Sequence, residues 1–215
     1  MQTSPEGFEL TFATNHMGHY YFTRLVSERL LQNAKTHQHR ARVIVVSSGT
    51  HDPANHTPTP TPAYNLEQWK LPRRYNPGRS YAQSKLANAL FANDLATQFK
   101  PEECTVATFD PGFLPETSLL RNLGSGLHAV VGVVATLWMY IVHYAYGSTL
   151  QIASMDRTAP FLARLAVDSE LLEETGRYYC IDALDKCSEV AATREYQVEL
   201  REFSEALLKE KGFKY

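Results

Sequence analysis

The run Arg42-Val-Ile-Val-Val-Ser47 constrains this chain more than any other stretch. Four consecutive branched aliphatics between polar residues show no apolar/polar alternation, so the run fits a strand covered on both faces, as in the core of a parallel sheet. Thr105-Val-Ala-Thr-Phe109 is a second short strand, closed by Asp110-Pro-Gly112, and Gly176-Arg-Tyr-Tyr-Cys-Ile181 is a third. Helical patterns lie between them. Pro5 to about Lys35 reads as one long helix with Thr3 and Glu6 as a capping box, Pro5 in the first turn, and Phe8, Phe12, Leu25, Val26 and Leu30 on its apolar face. Gly78 to about Phe99 carries Leu86, Ala87, Leu90, Phe91 and Leu95 at helical spacing. About Glu189 to Lys211 is an amphipathic helix turning Val198, Leu200, Phe203 and Leu207 toward the core. Helix, strand, loop, helix, strand predicts an α/β fold whose parallel strands are joined by crossovers.

Two stretches break this rhythm. Residues 49–77 hold six of the eleven prolines, including Thr57-Pro-Thr-Pro-Thr-Pro62, and read as a Pro-rich surface loop. Residues 122–155 contain no Asp, Glu, Lys or Arg, and within them Leu127 to Tyr146 approaches transmembrane length. That segment also holds His128, Gly132 and His143, so a buried or interfacial helix competes with a true span.

Charge and cysteine content narrow the function classes. Twenty-one Lys and Arg against twenty-three Asp and Glu leave a net charge of -2, so no basic field attracts a nucleic acid backbone. Cys104, Cys180 and Cys187 are odd in number and form no Cys-x-x-Cys half-site, which predicts a reduced, intracellular setting and no metal. Glu6, Glu9, Arg24, Glu28 and Arg29 interrupt the first thirty residues, where a secretory signal would need an apolar core.

Four features could carry chemistry. Tyr81-Ala-Gln-Ser-Lys85 places a phenol and an ammonium one helical turn apart, and a fixed cation beside a tyrosine stabilises its anion. On an exposed face the same pair is ordinary surface decoration. Ser47 and Ser48 follow the first strand, at the carboxyl end where open α/β sheets place their ligands; serines also commonly end strands. Asn15 sits inside the first helix, in Thr14-Asn-His-Met-Gly-His19, although asparagine is an indifferent helix former. His16 and His19 have no third ligand at a metal spacing and read as core or surface residues.

Together these features resemble the short-chain dehydrogenase/reductase family. The resemblance rests on Gly7-Phe-Glu-Leu-Thr-Phe-Ala-Thr-Asn-His-Met-Gly-His19, Arg42-Val-Ile-Val-Val-Ser-Ser48, Tyr81-Ala-Gln-Ser-Lys-Leu-Ala-Asn88 and Asp110-Pro-Gly-Phe113, in that order. The Asn-His-x-Gly-His and Tyr-x-x-x-Lys-Leu-x-Asn patterns are most similar to the branch of retinol dehydrogenases and protochlorophyllide reductase. The resemblance implies a Rossmann-like, doubly wound parallel sheet of which residues 1–215 form the C-terminal, catalytic portion. It implies Tyr81 as acid/base for a carbonyl, Lys85 lowering the Tyr81 pKa and bonding the nicotinamide ribose, Ser48 orienting the substrate oxygen, and Asn15 distorting its helix and holding a water. Pro111 and Gly112 would lie against the nicotinamide. The family often has Thr or Ser five residues after that proline; Glu116 stands there, so Thr117 is the candidate for a further cofactor bond. The expected cofactor is NADP, or NAD, and the expected substrate a small hydrophobic alcohol or carbonyl. A homodimer, and a membrane-surface contact through 127–146, are further expectations, with a cytoplasmic or membrane-associated location.

The family's cofactor-binding half would precede residue 1. No Gly-rich strand-to-helix turn stands in these residues, and Gly124-Ser-Gly126 follows no strand. A fragment of a full enzyme, a truncated product, and a half completed by another polypeptide are the three readings, and the first is favoured because all four catalytic positions are intact. The rival function is a non-catalytic interaction or membrane-associated module using an exposed sheet edge.

Overall fold

The computed structural model describes residues 1–52, 64, 66, 69, 75–114, 151–171 and 173–214. Strand β1 (Ala41–Val46) pairs in parallel with β2 (Cys104–Asp110), which pairs in parallel with β3 (Arg177–Cys180); β4 (Ala183–Asp185) returns antiparallel to β3. In this register Val46 lies beside Phe109, and Asp110 beside Cys180, so all three parallel strands end at one edge.

Helices cover both faces, as the unalternating strand sequences require. On one face α2 (Pro77–Gln98) buries Leu86, Ala87, Leu90, Phe91 and Leu95 against Val45, Cys104 and Val106. The helix starts where Asn76 accepts from the Arg79 amide, with Pro77 in the first turn, where its missing N–H is harmless. On the other face Phe161 and Leu165 of α3 (Met155–Val167) pack on Ala107, Phe109 and Tyr179. Odd and even positions of β2 thus feed separate cores, which is the period-two rule of a strand. The α/β, doubly wound reading therefore holds.

The structure corrects several boundaries. The first helix does not begin at Pro5 with a Thr3/Glu6 box. Gly7 has φ +88°, Thr3 bridges Glu9, and the Glu9 carboxylate caps the first turn by accepting from the Thr11 and Phe12 amides at 3.0 and 2.8 Å. An α-turn, Leu10–Phe12, then widens into a π-helical segment, Ala13–Met17, before α1 (Gly18–His37). Leu25, assigned to the apolar face, is 48% exposed. Among the described residues β1 is an edge strand and not a fully covered one: residues 41–44 are half-buried where β2 is buried throughout, and Val46 is 40% exposed.

The C-terminal helix is two helices, α4 (Glu189–Ala192) and α5 (Arg194–Glu210), because Thr193 takes an extended ψ of 114°. Leu200, Leu207 and Leu208 are its buried leucines, with Val198 and Phe203 only partly covered. Within the stretch read as a surface loop, His51 and Trp69 are both buried. No helix among the described residues is long and apolar enough to cross a membrane. Residues 127–146 and most of the Pro-rich stretch lie outside the described residues.

Candidate active site

β1 ends at Val46, and its last carbonyl anchors the site. It accepts from Lys85 Nζ at 3.2 Å and from Asn88 Nδ2 at 3.1 Å, two side chains one turn apart on α2. Ser47 closes the junction from the other side, its hydroxyl donating to the Lys85 carbonyl at 2.8 Å while its amide donates to Phe109 at 2.8 Å. The two serines therefore divide the work. Ser47 is buried and structural, and Ser48 turns outward, in extended conformation, to cap the 3-10 turn Gly49–His51 and to hydrogen-bond the side chain of Tyr81.

Tyr81 and Lys85 stand one turn apart as their spacing predicts, with Nζ 5.6 Å from the ring centroid. The ammonium sits over the ring, and the phenol's partner is Ser48. Burial pushes the Tyr81 pKa up; the Ser48 hydrogen bond pulls it down, and the Asp110 carboxylate adds to the rise. Burial likewise pulls Lys85 down, with Asp110 opposing. The net rise at Tyr81 favours the neutral phenol.

Asn15 lies in the π-helical segment, where the α-helical ladder is interrupted. Its Nδ2 donates to Ser84 Oγ at 3.0 Å, and Ser84 Oγ donates to the Tyr81 carbonyl at 2.7 Å, so the distorted turn is tied to the turn that carries Tyr81. Asn15, Lys85, Asn88 and Val46 line one end of a cleft of about 500 Å³ that continues along β1 under Phe22 and Val26.

Two contributors were not singled out in the sequence. Asp110, noted only as closing a strand, is a buried carboxylate whose Oδ1 accepts from the Gly112 amide at 2.8 Å. Its Oδ2 accepts from the Tyr178 hydroxyl at 3.2 Å and from the Cys180 thiol at 3.7 Å. The signal was its place before Pro-Gly at the carboxyl end of β2. His51 lies three residues beyond Ser48, and nothing in the sequence distinguished it from the neighbouring loop.

Gly112 has φ +71°, and a Cβ there would meet Ala153 Cβ and Gln151 O at 3.0 Å and Ile181 Cγ1 at 3.1 Å, so only glycine fits. Pro111 is held by Thr158, whose hydroxyl donates to its carbonyl at 3.3 Å. Thr117 lies outside the described residues. Among the described residues no group of three His, Cys, Asp or Glu could hold a metal, and all three cysteines are free.

No protein-family model matches the chain. Known proteins do. It is 29% identical over 180 residues to "Short-chain dehydrogenase TIC 32 A, chloroplastic" of Brassica napus, covering 83% of this chain and 50% of that protein. It is 29% identical over 204 residues to human retinol dehydrogenase 13, covering 95% and 54% respectively. With mouse retinol dehydrogenase 14 it shares 30% identity over 144 residues, 67% of this chain and 37% of that one. A crystal structure of an uncharacterized protein from Mycobacterium paratuberculosis shares the fold, with a TM-score of 0.58 at 23% identity over 97% of this chain and 63% of that chain. The chain thus spans about half the length of the curated relatives it matches. Its curated relatives are short-chain dehydrogenases and retinol dehydrogenases that match most of its length, and the chain belongs to the short-chain dehydrogenase/reductase family.

Proposed function

We propose that these residues form the proton-transfer and substrate-positioning part of an NAD(P)-dependent oxidoreductase that interconverts a hydrophobic alcohol and its carbonyl. The observation that carries the reading is the convergence of Ser48, Tyr81 and Lys85 where β1 ends. The dinucleotide, when bound, supplies or accepts the hydride. Tyr81 gives its proton to the carbonyl oxygen in reduction and takes it back in oxidation. Ser48, already bonded to Tyr81, offers its hydroxyl to the same oxygen. Lys85 supplies the positive charge that favours the phenolate once proton transfer begins, and reaches a ribose hydroxyl of the cofactor. Asn15, at the end of the cleft that Lys85 also lines, holds a water between that ammonium and solvent.

The residues fit the reacting end of the cofactor. Gly112 leaves bare backbone beside Pro111, anchored through Asp110, and Thr117 follows in sequence as a further hydrogen-bonding partner. No Gly-x-Gly-x-x-Gly run occurs in the 215 residues, so they account for that end and not for the pyrophosphate. A hydrophobic substrate accords with the retinol dehydrogenases among the relatives, and residues 127–146 are the apolar wall or membrane contact proposed for it. NADP over NAD rests on the same likeness.

One observation favours the rival, a non-catalytic interaction module: the β1 edge is unpaired among the described residues, with Phe22 and Val46 exposed at the cleft beside it. Turnover separates the two. The native protein, at the length its source makes it, is expected to oxidise NADPH with decanal as acceptor, and Tyr81→Phe to lose at least about 100-fold in kcat. Retained turnover in Tyr81→Phe rejects the proton donor; no turnover in the unaltered protein favours the rival.

A further inference from the structure

We propose that His51 is a positioning residue of this site, holding Ser48 in place through a neutral imidazole whose Nδ1 carries the proton. The inference rests on the oxidoreductase reading above. His51 is 2% exposed, and its ring is pinned at both nitrogens. Nδ1 lies 2.7 Å from the Ser48 carbonyl, and Nε2 lies 3.3 Å from the Ser188 amide. A carbonyl only accepts and an amide only donates, so one tautomer satisfies both: Nδ1 protonated, Nε2 with its lone pair free. A protonated ring would set an N–H against the Ser188 N–H. Burial pulls the His51 pKa down, in keeping with this neutral form.

The clamp acts on one residue. The Ser48 carbonyl accepts from the His51 ring and also from the His51 amide at 2.9 Å, so the peptide after Ser48 is fixed from two directions. That peptide sets the orientation of the Ser48 side chain, which meets Tyr81 on one side and caps Thr50 on the other. Tyr178, its hydroxyl on Asp110, packs its ring with the centroid 5.4 Å from that of the imidazole. The Ser48 end of β1 is thereby coupled to the segment after β4, through Ser188, and to the Asp110-Pro-Gly112 turn. Cys187 Sγ lies 3.6 Å from Nε2, but burial raises its thiol to about 11, so the pair is a neutral contact and not a thiolate nucleophile.

Two amides separate positioning from plain stability. Asn places its Nδ2 where His has Nδ1 and keeps the Ser48 bond, while abandoning the Ser188 amide. Gln places its amide near Nε2, keeps Ser188 and releases Ser48. In the native protein, His51→Gln is expected to lower kcat for NADPH-dependent decanal reduction about 10- to 100-fold with KM for NADPH unchanged, while His51→Asn stays within about threefold of wild type. Thermal melting is expected to run in the opposite order, with Asn the less stable, because it leaves a buried amide unpaired. Activity that follows melting temperature, or equal kcat in both variants alongside an inactive Ser48→Ala, overturns the clamp and leaves the oxidoreductase reading standing. An active Ser48→Ala, or an inactive unaltered protein, removes the reading and the inference with it. Imidazole ¹⁵N shifts test the clamp without turnover: a protonated Nδ1 and bare Nε2 are expected at pH 7, and the reverse tautomer overturns the proposal.

Discussion

His16 shows how far a single buried side chain shapes the behaviour of this protein. Fully enclosed between Phe12, Tyr20 and Phe91, with Nε2 3.2 Å from the Ser204 hydroxyl, it links the π-helical segment to α5. Burial lowers its pKa to about 3. In the unfolded chain it titrates near 6.5, so below that pH the unfolded state binds the extra proton and the folded state does not. The contribution of neutral His16 to stability is thus complete above about pH 6.5 and is lost as pH falls toward 3. Denaturant titrations from pH 8 to pH 4 are expected to show stability falling by up to about 1 kcal/mol per pH unit below 6.5. His16→Gln is expected to flatten that slope.

At the scale of elements, the polar anchors outside the site decide how the C-terminal helices are held. Asp94, buried on α2, accepts from Arg194 at 2.7 Å and Arg201 at 2.9 Å, both on α5, and from Gln98 at 2.6 Å. Asn93 and Gln197 both donate to the Ala191 carbonyl at 2.9 Å, satisfying the end of α4 where the chain breaks at Thr193. Removing a buried charge from its partners costs roughly 3–5 kcal/mol, but Arg194 is 51% exposed and recovers water. Asp94→Ala is therefore expected to destabilise by about 2–3 kcal/mol in urea unfolding, without moving the Ser48–Tyr81–Lys85 geometry.

For the whole molecule the decisive feature is the open side of the sheet. Among the described residues β1 presents an unpaired backbone edge, and Phe22 at 63% and Val46 at 40% exposure line the cleft of about 500 Å³ beside it. An apolar strand edge of this kind recruits other chains. The 215-residue chain on its own is expected to self-associate in sedimentation velocity at micromolar concentration, and Phe22→Lys to shift it toward monomer. A variant profile identical to wild type would remove this edge from the account.

Composition, the parallel-strand runs and the helical faces of α2 and α5 were legible in order alone, because strand and helix periodicity are local properties of adjacent side chains. So were Ser48, Tyr81 and Lys85 as a set, since their motifs are short and two of them share one helix. What depended on distant partners was not legible. Glu9 replaced Thr3 as the cap because Gly7 folds the chain back, and a half-buried edge strand has the same sequence as a covered one. Asp110 and His51 look like turn residues until β3 and Ser188 arrive from more than sixty residues away to bond them. Residue type and spacing determined the family and the candidate site residues; only the tertiary structure decided which of them are buried, bonded and held, because burial and hydrogen bonding belong to pairs that the chain brings together late.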